Sequence, residues 1–244
     1  MADAQTKPAA YRRHVGRGGQ THRKAVAGRT RLPLAGAATV EFDEVFHIGT
    51  LRQEDKGKAH GSSWEGHGLS ISLDPGAWER IAKLGGAPWW RLRRSGGRFL
   101  DYWQLSAEER LQISAWAVER GLAQWTRAWR LSYFDDELDD TMSILHEDEE
   151  DARLEAEDFD DARIEQVRVL SPTEELERRL GMPSHLDCFD HVLVLWVQDE
   201  RPDLDGVWWE DSYGPYSAPR GVILPDRLAS WRPGRVARFA ELGE

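Results

Sequence analysis

The chain has 244 residues, 31% of them charged, a formal net charge of −11 and a single cysteine, Cys188. It is long enough to bury a sizeable core, and its twelve tryptophans belong to a chain that folds. No stretch approaches the roughly 18 uncharged apolar residues of a membrane-spanning helix, and one cysteine cannot close an intrachain disulfide. A disulfide-stapled secreted scaffold is therefore excluded, and a cytoplasmic protein is expected.

The charge is unevenly laid out. Residues 135–165 hold 16 carboxylates against Arg153 and Arg163, a local balance of −14, so the rest of the chain sums to +3. The first 35 residues carry eight Lys/Arg against Asp3, a local +7. Residues 1–38 have few large apolar side chains and no period, which predicts a flexible basic arm able to contact phosphates. The continuous apolar region of a secretory signal is missing from it.

Ordered structure is expected from Thr39 onward as one domain over 39–244, with an acidic insertion at 135–165. Thr39 to Phe46 alternates polar and apolar residues as a half-buried strand does, and Leu69 to Leu73 repeats the pattern. Asp74-Pro75 then reads as an N-cap with proline at the first helical position, closed by Gly85-Gly86. Trp89–Arg94 and Arg98–Leu105 flank Ser95-Gly96-Gly97 and predict a hairpin. Ser106 and Glu109 form a capping box for a helix through Arg120, with Leu111, Ala115 and Val118 as its buried stripe and Gly121 as its stop.

Trp125 to Phe134 reads as a strand. In the acidic run, Leu154, Phe159 and Ile164 are too sparse to predict an amphipathic helix. Gln166–Leu170 predicts a short strand, and Ser171-Pro172-Thr173-Glu174 starts a helix ended by Gly181 and Pro183. Val192–Val197 is the most apolar run and predicts a central strand. Gly206–Asp211 and Gly221–Leu224 complete the strands. Together these elements predict an α+β domain built on antiparallel strands with two or three packed helices.

Several signatures are missing: the P-loop, the G-x-S-x-G elbow, H-E-x-x-H and paired C-x-x-C. His185, Cys188 and His191 stand three residues apart, but a structural zinc site needs a fourth ligand that no neighbouring pair supplies, so no metal is expected. Asp101 and Glu65 are further carboxylates near aromatic residues, and Tyr102 and Trp103 offer rings for stacking or for the core.

The strongest chemical signal is Phe46-His47-Ile48-Gly49-Thr50-Leu51 followed by Gly66-His67-Gly68-Leu69-Ser70-Ile71-Ser72. A glycine at a strand end lets a flat ligand approach the backbone, with His and Thr as polar contacts. This order of motifs resembles the ADP-ribosyltransferase superfamily, in the branch whose first strand carries a histidine. The resemblance implies a split antiparallel sheet that holds NAD as co-substrate. It implies that His47, Gly49 and Thr50 contact the ribose and nicotinamide amide, with Ile48 interrupting the usual His-Gly step. It puts Ser70, in its Gly66-His67-Gly68-Leu69-Ser70 context, at the nicotinamide-facing position, with Gly68 and Ser72 lining the same strand. A late strand acid, Glu210 with Asp211 beside it, would stabilise positive charge at the anomeric carbon. Arg220 would contact the pyrophosphate.

Catalytic roles thus fall to Glu210, His47 and Ser70. The resemblance further implies a macromolecular acceptor, nucleic acid or protein, and the setting of a toxin or antiviral defence effector with a cognate antitoxin as partner. The competing expectation is a non-catalytic, antitoxin- or immunity-like module that holds a basic protein through the acidic segment.

Overall fold

The computed structural model describes residues 13–14, 39–51, 68–136, 139–181, 183–214 and 217–236. In chain order its strands are β1 (Arg13–His14), β2 (Thr39–Ile48), β3 (Leu69–Ser72), β4 (Trp89–Asp101), β5 (Ala123–Asp135), β6 (Asp140–His146), β7 (Arg163–Pro172), β8 (Gly206–Trp209), β9 (Arg220–Ile223) and β10 (Arg232–Val236). The helices are α1 (Pro75–Ile81), α2 (Ala107–Glu119), α3 (Glu149–Ala156), α4 (Glu174–Leu180) and α5 (Phe189–Glu200). The class is mixed α+β, with five α-helices among the described residues where two or three are expected. None of the described helices is long and apolar enough to cross a membrane.

Contacts divide the chain into two compact units where the sequence predicts one domain over 39–244. The first holds the described residues of Met1–Arg31 with Gln124–Ser171 and His185–Asp187. The second holds those of Leu32–Ala123, Pro172–Ser184 and Cys188–Glu244.

Unit 1 is a four-stranded sheet in the order β1-β6-β5-β7. Arg13 and His14 of the predicted arm pair with Ser143 and Met142, and the rest of that arm lies outside the described residues. The acidic segment is built into this unit. Asp148 caps α3, and Glu149, Glu150 and Asp151 occupy its first turn, where the helix dipole favours negative charge. The sparse apolar residues suffice because the helix is short. Ala156, Phe159, Ala162 and Ile164 pack on Leu131, Tyr133, Met142 and Ile144, with the Tyr133 and Phe159 rings stacked at 3.6 Å.

Unit 2 is a six-stranded sheet in the order β10-β4-β2-β3-β9-β8, and a parallel pairing of β8 with β4 closes its strands on themselves. Val45, Leu69, Ile71, Leu92, Phe99, Trp208, Ile223 and Trp231 fill the interior. The predicted hairpin at Ser95–Gly97 does not form. β4 runs straight through it, and β2 pairs with both halves. Phe42 faces Gly97 and Glu44 faces Arg93, so three residues of β4 lie opposite Asp43 alone. The surplus bulges out at Gly96 (φ 64°), whose N–H donates to Asp43 Oδ1 at 2.7 Å.

Two further expectations are corrected. Val192–Val197 is not a central strand but the buried middle of α5. A short apolar run carries no period of its own, and here it continues a twelve-residue helix. The buried face of α2 is Ile113, Ser114, Trp116 and Ala117, while Leu111 is 61% exposed and Val118 is exposed too. Both stripes have helical spacing. The one with Trp116 buries more area and finds a partner for the indole N–H, which donates to Glu200 Oε1 at 2.8 Å.

The capping signals are found as read. Glu109 N–H donates to Ser106 Oγ while Glu109 Oε2 accepts from Ser106 N–H at 2.7 Å. Asp74 caps α1, Thr173 caps α4, and Gly181 (φ 70°) ends α4.

Candidate functional site

The candidate residues gather on four consecutively paired strands of unit 2. Phe46 of β2 faces Ser72 of β3, Ser72 faces Arg220 of β9, and Arg220 faces Trp209 of β8. Side chains alternate along strands, so this row shares one face, while His47, Ile71, Gly221 and Trp208 belong to the other. That second face is the packed interior.

His47 ends β2 and is 4% exposed. Its Nδ1 lies 2.7 Å from Ser70 O and its Nε2 lies 2.9 Å from Thr50 O. Carbonyl oxygens only accept, so the ring donates to both only when each nitrogen carries a proton. The described β2–β3 register is the Phe46–Ser72 pair, and the imidazole supplies a further link where the strands separate. Gly49 follows with φ 118°, and its carbonyl accepts from Trp90 Nε1 at 2.8 Å.

Ser70 and Thr50 are half-buried. Ser72 is buried, and its hydroxyl donates to Pro219 O at 2.9 Å and accepts from Asp74 N–H at 3.0 Å. That hydroxyl ties β3 to the loop before β9. Gly68 (φ 141°) opens β3, where an added Cβ would come within 2.2 Å of the Val222 side chain and 2.8 Å of Ile223 O. Its glycine is required by the close approach of β9. Glu65, Gly66 and His67 lie outside the described residues.

A second cluster forms around the end of β8. Arg220 pairs with Asp211 and lies over the Trp209 ring, 5.6 Å from its centroid. Asp211 Oδ1 also accepts from Trp103 Nε1 at 3.2 Å. Tyr102 is buried, as its core reading expects, while the neighbouring Trp103 is 46% exposed. Glu210 is exposed, and its Oε2 accepts from Trp208 Nε1 at 2.6 Å. Asp211 is therefore paired with a guanidinium, whereas Glu210 accepts from a neutral indole.

β3 and β9 lie between the strand that ends at His47-Ile48 and the strand that precedes Glu210. Sequence reading named Arg220, Glu210, Asp211 and Trp103 separately, and the structure adds that Arg220 pairs with Asp211 and that Trp103 donates to it. No group of three or more His, Cys, Asp or Glu among the described residues could hold a metal ion. His191 Nδ1 instead lies 2.6 Å from Ser184 Oγ.

No protein-family model matches the chain, and no curated protein or solved structure matches it.

Proposed function

We propose that unit 2 is an NAD-dependent ADP-ribosyltransferase, acting in the cytoplasm on a macromolecular acceptor. The observation that supports this reading is the convergence of its motif positions. His47, Ser70, Arg220 and Glu210 come from distant parts of the sequence, yet they lie on or directly after β2, β3, β9 and β8, which are neighbours in one sheet.

The polar groups suit a dinucleotide. Thr50 and Ser70 flank the β2–β3 pair, at the places where the resemblance puts contacts to the ribose and nicotinamide. Trp103 presents an exposed ring, and Arg220 supplies a cation that Asp211 would share with a pyrophosphate. In the transfer, the bond between the ribose anomeric carbon and the nicotinamide nitrogen breaks, and its electron pair leaves with nicotinamide. A lone pair of the acceptor forms the new bond, and the acceptor's proton passes to solvent. Glu210 is the carboxylate with charge to spare for the cationic sugar, an effect worth a few kcal/mol in a water-poor site. His47 acts as a positioning residue, holding Thr50 and Ser70 through their carbonyls.

The test is incubation of the chain with NAD labelled on its adenylate half, together with cell extract containing nucleic acid and protein. Release of nicotinamide and a labelled adduct, both abolished in Glu210→Ala and reduced in Ser70→Ala, is the expected result. Intact NAD, with no heat of NAD binding by calorimetry, overturns the reading.

A further inference from the structure

Unit 1 carries a surface outside this reading. Along β5 the residues Trp125, Arg127, Trp129, Leu131 and Tyr133 share one face, and Ile164, Gln166 and Arg168 of β7 share it with them. The segment from α3 to Ile164 covers the Leu131–Tyr133 half and, through Glu155, reaches His146 opposite Trp129. The other half is open. Trp125, Thr126, Arg127, Gln166, Val167 and Arg168 line a shallow cavity of about 460 Å³ there.

Its chemistry is aromatic and cationic. The Arg168 guanidinium lies over the Trp125 ring, 4.8 Å from the centroid. Arg127 and Arg168 are both exposed, and among the described residues neither is ion-paired with a carboxylate. The carboxylate on this stretch of β7, Glu165, is on the opposite face and pairs there with Arg130 at 3.0 Å. Such a cluster is out of character in a segment dominated by acid. The acids of the β5–β6 turn begin at Asp135, eight residues beyond Arg127, which is about 27 Å along an extended strand. That is about three Debye lengths at physiological salt; the nearer acids follow His146, which faces Trp129, and of these Glu155 pairs with His146 at 3.2 Å.

We infer that the open half of this sheet binds single-stranded nucleic acid. The Trp125 indole would take a base on the face opposite Arg168, and Arg127, with Arg168, would take the phosphates. Stacking requires an uncovered π-face, which a single strand offers and a duplex hides. Guanidinium groups both stack and fork onto phosphate oxygens, and Gln166 can bond a base edge without regard to charge. The inference is independent of NAD chemistry in unit 2 and stands whether or not that chemistry occurs.

The experiment is fluorescence anisotropy of the full chain with labelled oligothymidylate and oligouridylate of about 12 nucleotides, and with a duplex of equal length. Each is titrated at about 50 and 200 mM salt. The single strands should bind at least about tenfold tighter than the duplex. Trp125→Ala should weaken binding about 5- to 100-fold, and Trp125→Phe should restore most of it. The double variant Arg127→Gln/Arg168→Gln should weaken binding and lower the slope of log affinity against log salt by about 1.4, two phosphate contacts at about 0.7 each. Arg130→Gln, on the opposite face, should bind as the parent does.

Binding unchanged in both the Trp125 and the double-arginine variants would overturn the inference and assign the affinity to the basic N-terminal sequence. Equal affinity for duplex, or no binding by the parent chain, would overturn it as well. Because Arg127 and Arg168 are exposed, the double variant keeps the test decisive if Trp125→Ala folds poorly.

Discussion

His47 and Ser70, on neighbouring strands, are joined by the imidazole Nδ1 and a main-chain carbonyl 2.7 Å apart. With Nε2 2.9 Å from Thr50 O, this side chain lies against two part-buried carbonyls where the β2–β3 pairing ends. Its removal therefore has a structural cost whatever unit 2 catalyses. His47→Ala should lower stability by about 1–3 kcal/mol, read from urea unfolding with an unchanged m-value. An unaltered midpoint would show that water replaces the imidazole at no cost.

Gly68 tests the same strand from its other end. Gly68→Ala would press a methyl against Val222 and Ile223 O while holding φ at 141°. The expected loss is about 2–4 kcal/mol, combining backbone strain with overpacking. Thermal denaturation without any nucleotide should reveal it, which separates a packing role from a ligand-binding one.

Asp205 is 2% exposed, pairs with Arg94 and accepts from Arg98 N–H at 2.9 Å. Asp205→Ala leaves a partly buried guanidinium without its carboxylate and a main-chain donor without its acceptor. About 3–5 kcal/mol of stability should disappear. If the melting temperature moves by only a degree or two, Arg94 has found solvent instead.

Asp203 predicts a pH dependence. The hydrogen-bonded Arg201 guanidinium holds its carboxyl below the ordinary carboxylate range. A depressed pKa stabilises the fold at pH above the unfolded value of about 3.9, and that contribution is lost as pH falls through the lower folded value. The side chain is 44% exposed, so the effect should stay below about 1 kcal/mol. The parent and Asp203→Asn should differ above about pH 5 and converge below about pH 3 in denaturant titrations. A difference that persists at pH 2 would contradict this.

The two stripes of α2 give a direct contrast. Leu111→Ser should change stability by less than about 0.5 kcal/mol, and Ile113→Ala should cost about 2–4 kcal/mol. Reversal of that order in chemical denaturation would restore the face expected from spacing.

These cases show how far local reading reaches. Ser106 with Glu109, Asp74 before Pro75, and Thr173 before Glu174 were legible because a cap is satisfied within one turn. The alternation of β2 and β3 was legible because one buried face leaves a period of two. Leu111 and Ile113 were not separable, since either stripe could face inward until Glu200 and Trp116 met. The straight course of β4 was hidden as well. Ser95-Gly96-Gly97 suits a turn, and only the long partner β2 makes a bulge the better solution. Likewise, the sequence shows Arg127 and Arg168 as two scattered cations; only the pairing of β5 with β7 makes them neighbours beside Trp125.

From the order of its residues alone, this chain determined its caps, most of its strands, its charge asymmetry and the histidine and serine motifs, because each depends on interactions within a few residues. The folded structure decided that Val192–Val197 is helical, that two units form, and that Asp211 rather than Glu210 is matched by Arg220. Those outcomes depend on which distant surface covers an apolar run or reaches a carboxylate. Burial and pairing across a sheet are settled only when all the strands are in place.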